Sequence, residues 1–196
     1  MNRTRTLLVA VFLTLLPHSA FAQRFGGQVG AGGGFWLLYI VPNIESDQSF
    51  GRDLGNVVAL GARAFVQFER VRLGGGGFGG NFTSEGLNAS GNEVTGAVSG
   101  GGFTAEYLAL RQNLEIAFGG LAGGGVVTVE ERQSVIGNEE TLKRRRDTIF
   151  VGLPWVRLGY NPAPFVNVGL QLGYFIGTRD FDGFTVGLDV IVGLIP

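Results

Sequence analysis

The chain has 196 residues, with no cysteine and a single histidine, and its 15 Lys and Arg against 16 Asp and Glu give a formal net charge of -1. The lack of cysteine excludes disulfide bonds, thiolate metal sites and cysteine nucleophiles. The near-neutral charge offers no electrostatic basis for binding nucleic acid. With 45% hydrophobic and 16% charged residues, the composition is that of a folded chain rather than a disordered one.

The first 22 residues have the pattern of a secretory signal peptide. Two arginines give a basic start, Leu7–Leu16 is an apolar run too short to span a bilayer as a helix, and Ala20–Ala22 fits the A-x-A cleavage pattern. We predict cleavage after Ala22 and a single domain over residues 23–196, with a buried amino-terminal helix as the alternative. Because His18 is the single histidine and is removed with the signal peptide, the mature chain contains no histidine. This excludes histidine catalysis and histidine-bound metals, so we expect no enzyme.

The rest of the sequence alternates between apolar and small or polar residues with a period of two. Even positions from Val58 to Phe68, from Val166 to Ile176 and from Phe184 to Leu194 are almost all apolar. This alternation predicts strands with one apolar face. Eight strands are predicted, over about Phe25–Ile40, Asn56–Glu69, Val71–Ser84, Asn92–Leu108, Asn113–Glu131, Thr148–Tyr160, Phe165–Ile176 and Gly183–Ile195.

The strand lengths and the joins between strands point to a membrane barrel. Most of the predicted strands exceed ten residues, whereas strands in soluble proteins average about five or six and a tilted strand needs about 9–11 to cross a bilayer. Brief joins alternate with longer ones, the longer set being Val41–Gly55, Glu85–Gly91, Arg132–Asp147 and Gly177–Asp182. In this architecture the whole mature sequence resembles small eight-stranded outer-membrane β-barrel proteins of bacteria.

The resemblance implies an all-β, antiparallel, up-and-down transmembrane barrel with glycine-rich strands, in the outer membrane of a Gram-negative-type bacterium. It implies a non-catalytic structural, surface-interaction or narrow-pore role without a cofactor. Outer-membrane lipid is the expected partner, and lipopolysaccharide or an external ligand at the long loops is a further candidate. The alternative is a secreted or periplasmic soluble glycine-rich β protein, built as a sandwich or a fibre subunit.

Aromatic residues lie near both ends of the predicted strands, as interfacial girdles would. Those near the brief joins are Phe68, Tyr107, Tyr160 and Phe165. Those near the longer joins are Trp36, Tyr39, Phe82, Phe150, Tyr174, Phe175 and Phe184. We expect two aromatic belts that face lipid.

Polar side chains on the phase opposite to the apolar one are expected inside the barrel. Arg63, Gln171 and Asp189 lie at mid-height, and Glu69, Arg72, Glu106, Glu115 and Arg157 lie closer to the brief joins. This assignment requires a phase change within Gly100–Gly102 and another near Pro154–Trp155. Because so narrow a barrel is filled by side chains, we favour a structural plug of paired charges over a proton or ion path. We expect Arg63 to reach Asp189 across the glycine-rich first strand.

The basic run Lys143–Arg146 has two interpretations. Lys143, Arg144, Arg145 and Arg146 are a candidate site for the phosphates of lipopolysaccharide or another polyanion. In the second reading, which we favour, Gly137–Asn138 turns a hairpin that pairs Glu131 with Arg144 and Glu130 with Arg145. The G-x-G-x-x-G match at Gly75, Gly77 and Gly80 has no helix after it, so no nucleotide site is predicted.

Overall fold

The computed structural model describes residues 29–42, 55–87, 93–135, 138–177 and 182–194. The predicted signal peptide, residues 25–28 of the predicted first strand and most of the join between the first two strands lie outside the described residues. Within the described ranges, no helix is long and apolar enough to cross a membrane.

Eight antiparallel strands form a closed barrel, in which each strand pairs with the next and the last pairs with the first. The strands are β1 (Val29–Pro42), β2 (Val57–Phe68), β3 (Val71–Leu87), β4 (Glu93–Arg111), β5 (Leu114–Val135), β6 (Asn138–Ala163), β7 (Val166–Gly177) and β8 (Gly183–Leu194). The predicted all-β, eight-stranded up-and-down barrel is confirmed. Residues 69–70, 112–113 and 164–165 join strands at the short-turn end, where β1 begins and β8 ends; the opposite end is the long-connection end.

Strands β5 and β6 extend beyond their predicted bounds, in agreement with the extended hairpin favoured for this region. Most of the predicted connection over Arg132–Asp147 is paired strand, because the backbone ladder continues to the pair of Val135 with Asn138. The predicted register of the charged residues was wrong. Glu130 pairs with Arg144, where Arg145 was predicted, and Glu131 pairs with Lys143, where Arg144 was predicted. The last pair of the hairpin is Val135 with Asn138, which alone would move each partner by two residues. The register irregularity between Glu131 and Arg132 reduces that difference to one residue.

Both predicted phase changes were wrong. The pairing of β4 runs without a shift through Gly100–Gly102, and that of β6 runs without a shift through Pro154–Trp155. The alternation stays in phase because Val98 on β4 and Leu153 on β6 point into the barrel and are at most 1% exposed. Apolar side chains therefore fill part of the lumen, which the sequence-based assignment had reserved for polar ones.

The lumen has two halves of different chemistry. The half toward the long-connection end holds a cluster of buried apolar residues, here the apolar plug: Trp36, Leu38, Ile40, Val57, Ala59, Phe78, Phe82, Val98, Leu121, Val127, Ile149, Val151, Leu153, Trp155 and Phe175. The half toward the short-turn end holds most of the buried polar residues. This division is clearest on β6, where the inward residues change from Ile149, Val151 and Leu153 to Arg157 toward the short-turn end.

The outer wall is apolar and exposed, with Phe35, Leu60 and Phe184 at 77%, 70% and 67% exposure. The aromatic residues predicted near the short turns, Phe68, Tyr107, Tyr160 and Phe165, all face outward. At the other end Tyr39, Phe150 and Phe184 face outward, whereas Trp36, Phe82 and Phe175 were assigned wrongly and belong to the apolar plug. Their inward position follows from strand parity, which overrides the preference of aromatic side chains for an interface.

Candidate functional site

Six charged side chains from six strands meet inside the barrel, in a cluster that we call the ionic ring. Its members are Arg63 of β2, Arg72 of β3, Glu106 of β4, Glu115 of β5, Arg157 of β6 and Asp189 of β8. Each occupies an inward position because side chains alternate between the two faces of a strand. None of the six is more than 6% exposed.

Asp189 is shared by two arginines. Arg63 Nη2 donates to Asp189 Oδ2 at 2.5 Å, and Arg157 Nε donates to both oxygens of the same carboxylate at 2.9 and 2.8 Å. Arg63 reaches Asp189 across β1, where the residue paired with Arg63 is Gly34. A strand without a side chain at this position leaves the guanidinium room to cross.

Glu115 and Glu106 complete the ring. Arg72 binds Glu115 through two parallel hydrogen bonds, Nη1 to Oε1 at 2.8 Å and Nη2 to Oε2 at 2.7 Å, and Arg157 Nη1 donates to Glu115 Oε1 at 2.5 Å. Glu106 accepts from Arg72 Nη1 at 2.9 Å and from Arg63 Nη1 at 3.4 Å. Every arginine therefore bridges two carboxylates, and every carboxylate bridges two arginines.

The closed arrangement explains how these charges tolerate burial. Taking an ion out of water costs several kcal/mol, which is recovered only with good geometry and satisfied hydrogen bonds. Three arginines and three carboxylates cancel in charge, and the bidentate Arg72–Glu115 pair has the geometry of a strong charge-assisted contact. The ring links six strands across the lumen, so it fixes the barrel cross-section as well as neutralising itself.

Two indoles separate the ionic ring from the rest of the apolar plug. The guanidinium carbon of Arg63 lies 5.6 Å from the ring centroid of Trp36 and 5.7 Å from that of Trp155, within cation–π range. The two indoles pack edge to face with centroids 5.8 Å apart. Trp36 Nε1 donates to Gly77 O at 3.3 Å and Trp155 Nε1 to Glu106 Oε1 at 3.1 Å. Each tryptophan thus presents a polar edge to polar partners and an apolar body to the plug.

Neutral amides, which were not among the predicted site residues, satisfy outer nitrogen atoms of Arg72 and Arg157. Gln67 Oε1 accepts from Arg72 Nε at 2.9 Å. Asn167 Oδ1 accepts from Arg157 Nη2, and Asn167 Nδ2 donates to Asn161 Oδ1 at 2.7 Å. Gln67 and Asn167 are both 0% exposed. The same parity that selected Arg63 would have found Gln67, because both lie on the inward phase of β2.

Glu69 was wrongly assigned to the lumen. β2 ends at Phe68, and Glu69 occupies the turn that follows, with an exposed side chain and a φ of 51°. Strand parity does not extend into a turn, so the side chain does not continue the inward row. Its backbone oxygen instead accepts from Gln67 Nε2 at 3.0 Å.

Gln171 lies inside the barrel as predicted from its parity, at 1% exposure, but outside the ionic ring. Among the described residues, neither its amide nitrogen nor its amide oxygen has a hydrogen-bond partner, and the same holds for the hydroxyl of Thr185. The two residues lie on neighbouring strands, with Gln171 paired to Gly187 and Thr185 paired to Gly173. Gln171 therefore fills space in the lumen without contributing to the charge network.

A glycine beside the ring leaves the room that its atoms occupy. A Cβ added at Gly169 would lie 2.4 Å from Asp189 Oδ1 and 2.6 Å from Arg157 Nη2. Any larger residue here would displace the Arg157–Asp189 contact. Glycine in this strand therefore has a steric reason, namely the close approach of two side chains from neighbouring strands.

Comparison with known proteins identifies similar folds but no sequence family. No protein-family model and no curated protein sequence matches the chain. Neisserial surface protein A matches with a TM-score of 0.45 and 10% identity, over 84% of this chain and 96% of that chain. Ail, the attachment invasion locus protein of Yersinia pestis, in complex with the heparin analogue sucrose octasulfate, matches with a TM-score of 0.49 and 12% identity, over 85% and 98%. The N-terminal β-barrel domain of Pseudomonas aeruginosa OprF has a TM-score of 0.47 and 12% identity, over 85% and 98%. At this identity the likeness concerns the fold alone.

The basic run predicted between the fifth and sixth strands lies on β6 within the long hairpin. Arg144 Nε lies 3.3 Å from Glu130 Oε1, with 66% of the arginine side chain exposed. Arg145 Nε lies 2.7 Å from Asp147 Oδ2. Arg146 is exposed, and its backbone partner is Thr128. The side chain of Lys143 lies outside the described residues.

The chemistry available in the lumen is that of a closed network. All three carboxylates of the ionic ring are held by arginine. In the part of the chain that the structure describes, no group of three or more His, Cys, Asp or Glu side chains could hold a metal ion.

Proposed function

We propose that this chain is an integral outer-membrane β-barrel protein with a sealed lumen, and that its role is structural and surface-directed rather than catalytic. The observation that carries the proposal is the inside-out distribution of polarity. The apolar phase of the strands faces outward and is exposed, while three arginines and three carboxylates are buried. Soluble monomers rarely expose an apolar patch larger than a few hundred Å², so this wall requires lipid around it.

The height of the apolar wall supports the same proposal. Outward residues are apolar or small from Val58 to Phe68 on β2, from Phe150 to Tyr160 on β6 and from Val166 to Ile176 on β7. About ten residue steps of about 3.3 Å, tilted by about 40°, span about 25 Å along the barrel axis. This is the height of the apolar band of outer-membrane barrels. The soluble alternative would have to cover this band with a second layer of protein.

The filled lumen supports a sealed barrel over a narrow pore. The apolar plug closes the half toward the long-connection end, and the ionic ring with its amide partners closes the other half. An eight-stranded barrel is only wide enough for side chains to fill. Ions would have to break the ring and then cross the plug, where they would lose their hydration.

We further propose an orientation. The short-turn end, where β1 begins and β8 ends, faces the periplasm, and the long-connection end with the β5–β6 hairpin faces the outside, as is usual for such barrels. The predicted signal peptide, residues 1–22, supplies the export step, and outer-membrane lipid is the partner of the outer wall.

Two measurements test the proposal. Cells that express the full-length chain are fractionated, and we expect the protein in the membrane fraction. The detergent-extracted protein is then run on a gel with and without boiling. We expect different mobilities, because a closed barrel resists detergent until it is boiled. The purified barrel is then placed in a planar lipid bilayer, where we expect no steady current. Recovery from the soluble periplasmic fraction without detergent would contradict membrane integration, and a robust ohmic current would contradict the sealed lumen.

A further inference from the structure

The outward row of β6 continues past the apolar wall into two arginines. Arg144, Arg146 and Thr148 follow the same alternation as the lipid-facing Phe150, which is 51% exposed. On β5 the residues paired with these arginines are Glu130 and Thr128. The two guanidinium groups therefore point away from the barrel axis, directly above the apolar wall.

Their distance from the wall brings Arg146 close to the lipid headgroups and Arg144 two residues further out. Arg146 and Arg144 lie four and six residues beyond Phe150, which is about 13 and 20 Å along the strand and about 10 and 15 Å along the axis at a tilt of about 40°. The headgroup layer is about 5–8 Å thick on each side of the hydrocarbon core. A long arginine side chain can lean back toward that layer while its methylene groups cover apolar surface.

The two outward arginines also keep hydrogen-bond donors available. Of the described acidic side chains, none contacts Arg146. Arg144 makes one 3.3 Å contact with Glu130 and keeps 66% of its side chain exposed. Arg145 belongs to the opposite phase and is held by Asp147 at 2.7 Å. Among the described side chains, the outward face of the hairpin thus carries Arg144 and Arg146 against Glu130, with Arg146 two residues closer to the wall than Arg144.

We propose that Arg144 and Arg146 bind phosphate groups of lipid in the surrounding outer leaflet, which makes the β5–β6 hairpin a lipid-recognition element. The inference rests on the proposed membrane location. Arginine presents a planar fork of donors that matches phosphate in two parallel hydrogen bonds. Lipid is the source of that phosphate because the two side chains share the phase of the lipid-facing wall instead of pointing over the mouth of the barrel.

The test compares matched arginine variants of the refolded full barrel. Wild type, R146Q, R145Q and the double variant R144Q/R146Q are inserted into vesicles of phosphatidylcholine, and binding of added bisphosphorylated lipid A is titrated. R146Q and R145Q remove the same charge from the same hairpin but on opposite faces. Since one arginine near a membrane surface is worth about 1 kcal/mol, we expect R146Q to weaken binding about fivefold and the double variant about thirtyfold, with less than a twofold loss for R145Q.

Three results would overturn the inference. Equal losses for R145Q and R146Q would show that only the net charge of the hairpin matters. Equal binding of lipid A and of its dephosphorylated form would show that phosphate is not recognised. Binding of soluble inositol hexakisphosphate with the same arginine dependence, but no preference for lipid A, would show a site for soluble polyanions.

The same samples separate this inference from the proposed function. Insertion into phosphatidylcholine vesicles is read from the difference in gel mobility between unboiled and boiled protein. If wild type does not insert, both the membrane location and the lipid site are wrong. If wild type inserts and lipid A binding does not depend on Arg144 and Arg146, only the lipid site is wrong.

Discussion

Replacing Asp189 with alanine removes the one carboxylate that Arg63 and Arg157 share. The remaining carboxylate contact of Arg63 would be the 3.4 Å contact with Glu106, and that of Arg157 the 2.5 Å contact with Glu115. The ring would then hold three arginines against two carboxylates, with one positive charge uncompensated in a lumen where Asp189 is 2% exposed. We expect D189A to destabilise the barrel strongly.

The magnitude follows from burial and geometry. Removing one partner of a buried ion pair typically costs about 3–5 kcal/mol, and two unit charges about 4 Å apart interact by about 4 kcal/mol at an effective dielectric constant of about 20. The free energy of unfolding of D189A should therefore fall by about 3–5 kcal/mol. The double variant R63M/D189L leaves Glu106, Arg72, Glu115 and Arg157 as a neutral chain, so it should recover at least half of that loss.

A second pair separates direct contact from charge balance. Arg72 has no contact with Asp189, because its carboxylate partners are Glu106 and Glu115. The double variant R72M/D189L also restores neutrality, but it removes two residues that face each other across the ring. In double-mutant cycles, Arg63 and Asp189 should show a coupling energy in the upper part of the usual range of about 0.5–3 kcal/mol, and Arg72 and Asp189 a smaller one.

The unfolding of each refolded variant in detergent or lipid is followed by tryptophan fluorescence against denaturant concentration. The chain has two tryptophans, and Trp36 and Trp155 both flank Arg63, so the signal reports on the ring. A loss below about 1 kcal/mol for D189A would refute the reasoning, because an uncompensated buried charge cannot be that cheap. Equal coupling for the two pairs would refute the closed-ring geometry.

Three further predictions follow from the wall and the lumen. L170R places a charge on the lipid face at mid-height and should lower the free energy of unfolding in lipid by about 2–4 kcal/mol. Q171A changes the next residue, which faces inward, and should lower it much less. Equal losses would contradict the assigned parity. Q171M removes two buried amide atoms that have no partner among the described residues, so its unfolding free energy should be at or above that of wild type; a loss above about 2 kcal/mol would indicate a missed polar contact. G61A should destabilise the barrel and shift tryptophan emission, because the added Cβ would lie 1.6 Å from Trp36 Nε1. G75A is the control and should do neither, because the atom nearest to its Cβ is 3.5 Å away. Equal effects of the two variants on stability and emission would show that the packing of Trp36 is not what requires glycine.

Local pattern was enough to predict the strands and much of the ionic ring. Alternation placed Arg63, Arg72 and Asp189 on the inward phase, because side-chain direction in a strand depends only on odd or even position. The same rule failed at Glu69, because a turn interrupts the alternation. Gln67 and Asn167 were not selected because an uncharged amide carries no signal of its role until its charged partner is known.

The sequence by itself determined the eight strands, the barrel class and the alternation of the wall, since all three depend on residue type and spacing along the chain. Which inward side chains meet was decided by closure of the barrel. The contact of Arg63 with Asp189 joins residues 126 positions apart, on strands that only closure brings near each other. Strand parity put Trp36, Phe82 and Phe175 on the inward phase, and closure brought them together in the lumen. A narrow barrel must fill its interior at every height, and apolar residues fill most of the lumen toward the long-connection end, beyond the reach of the ring.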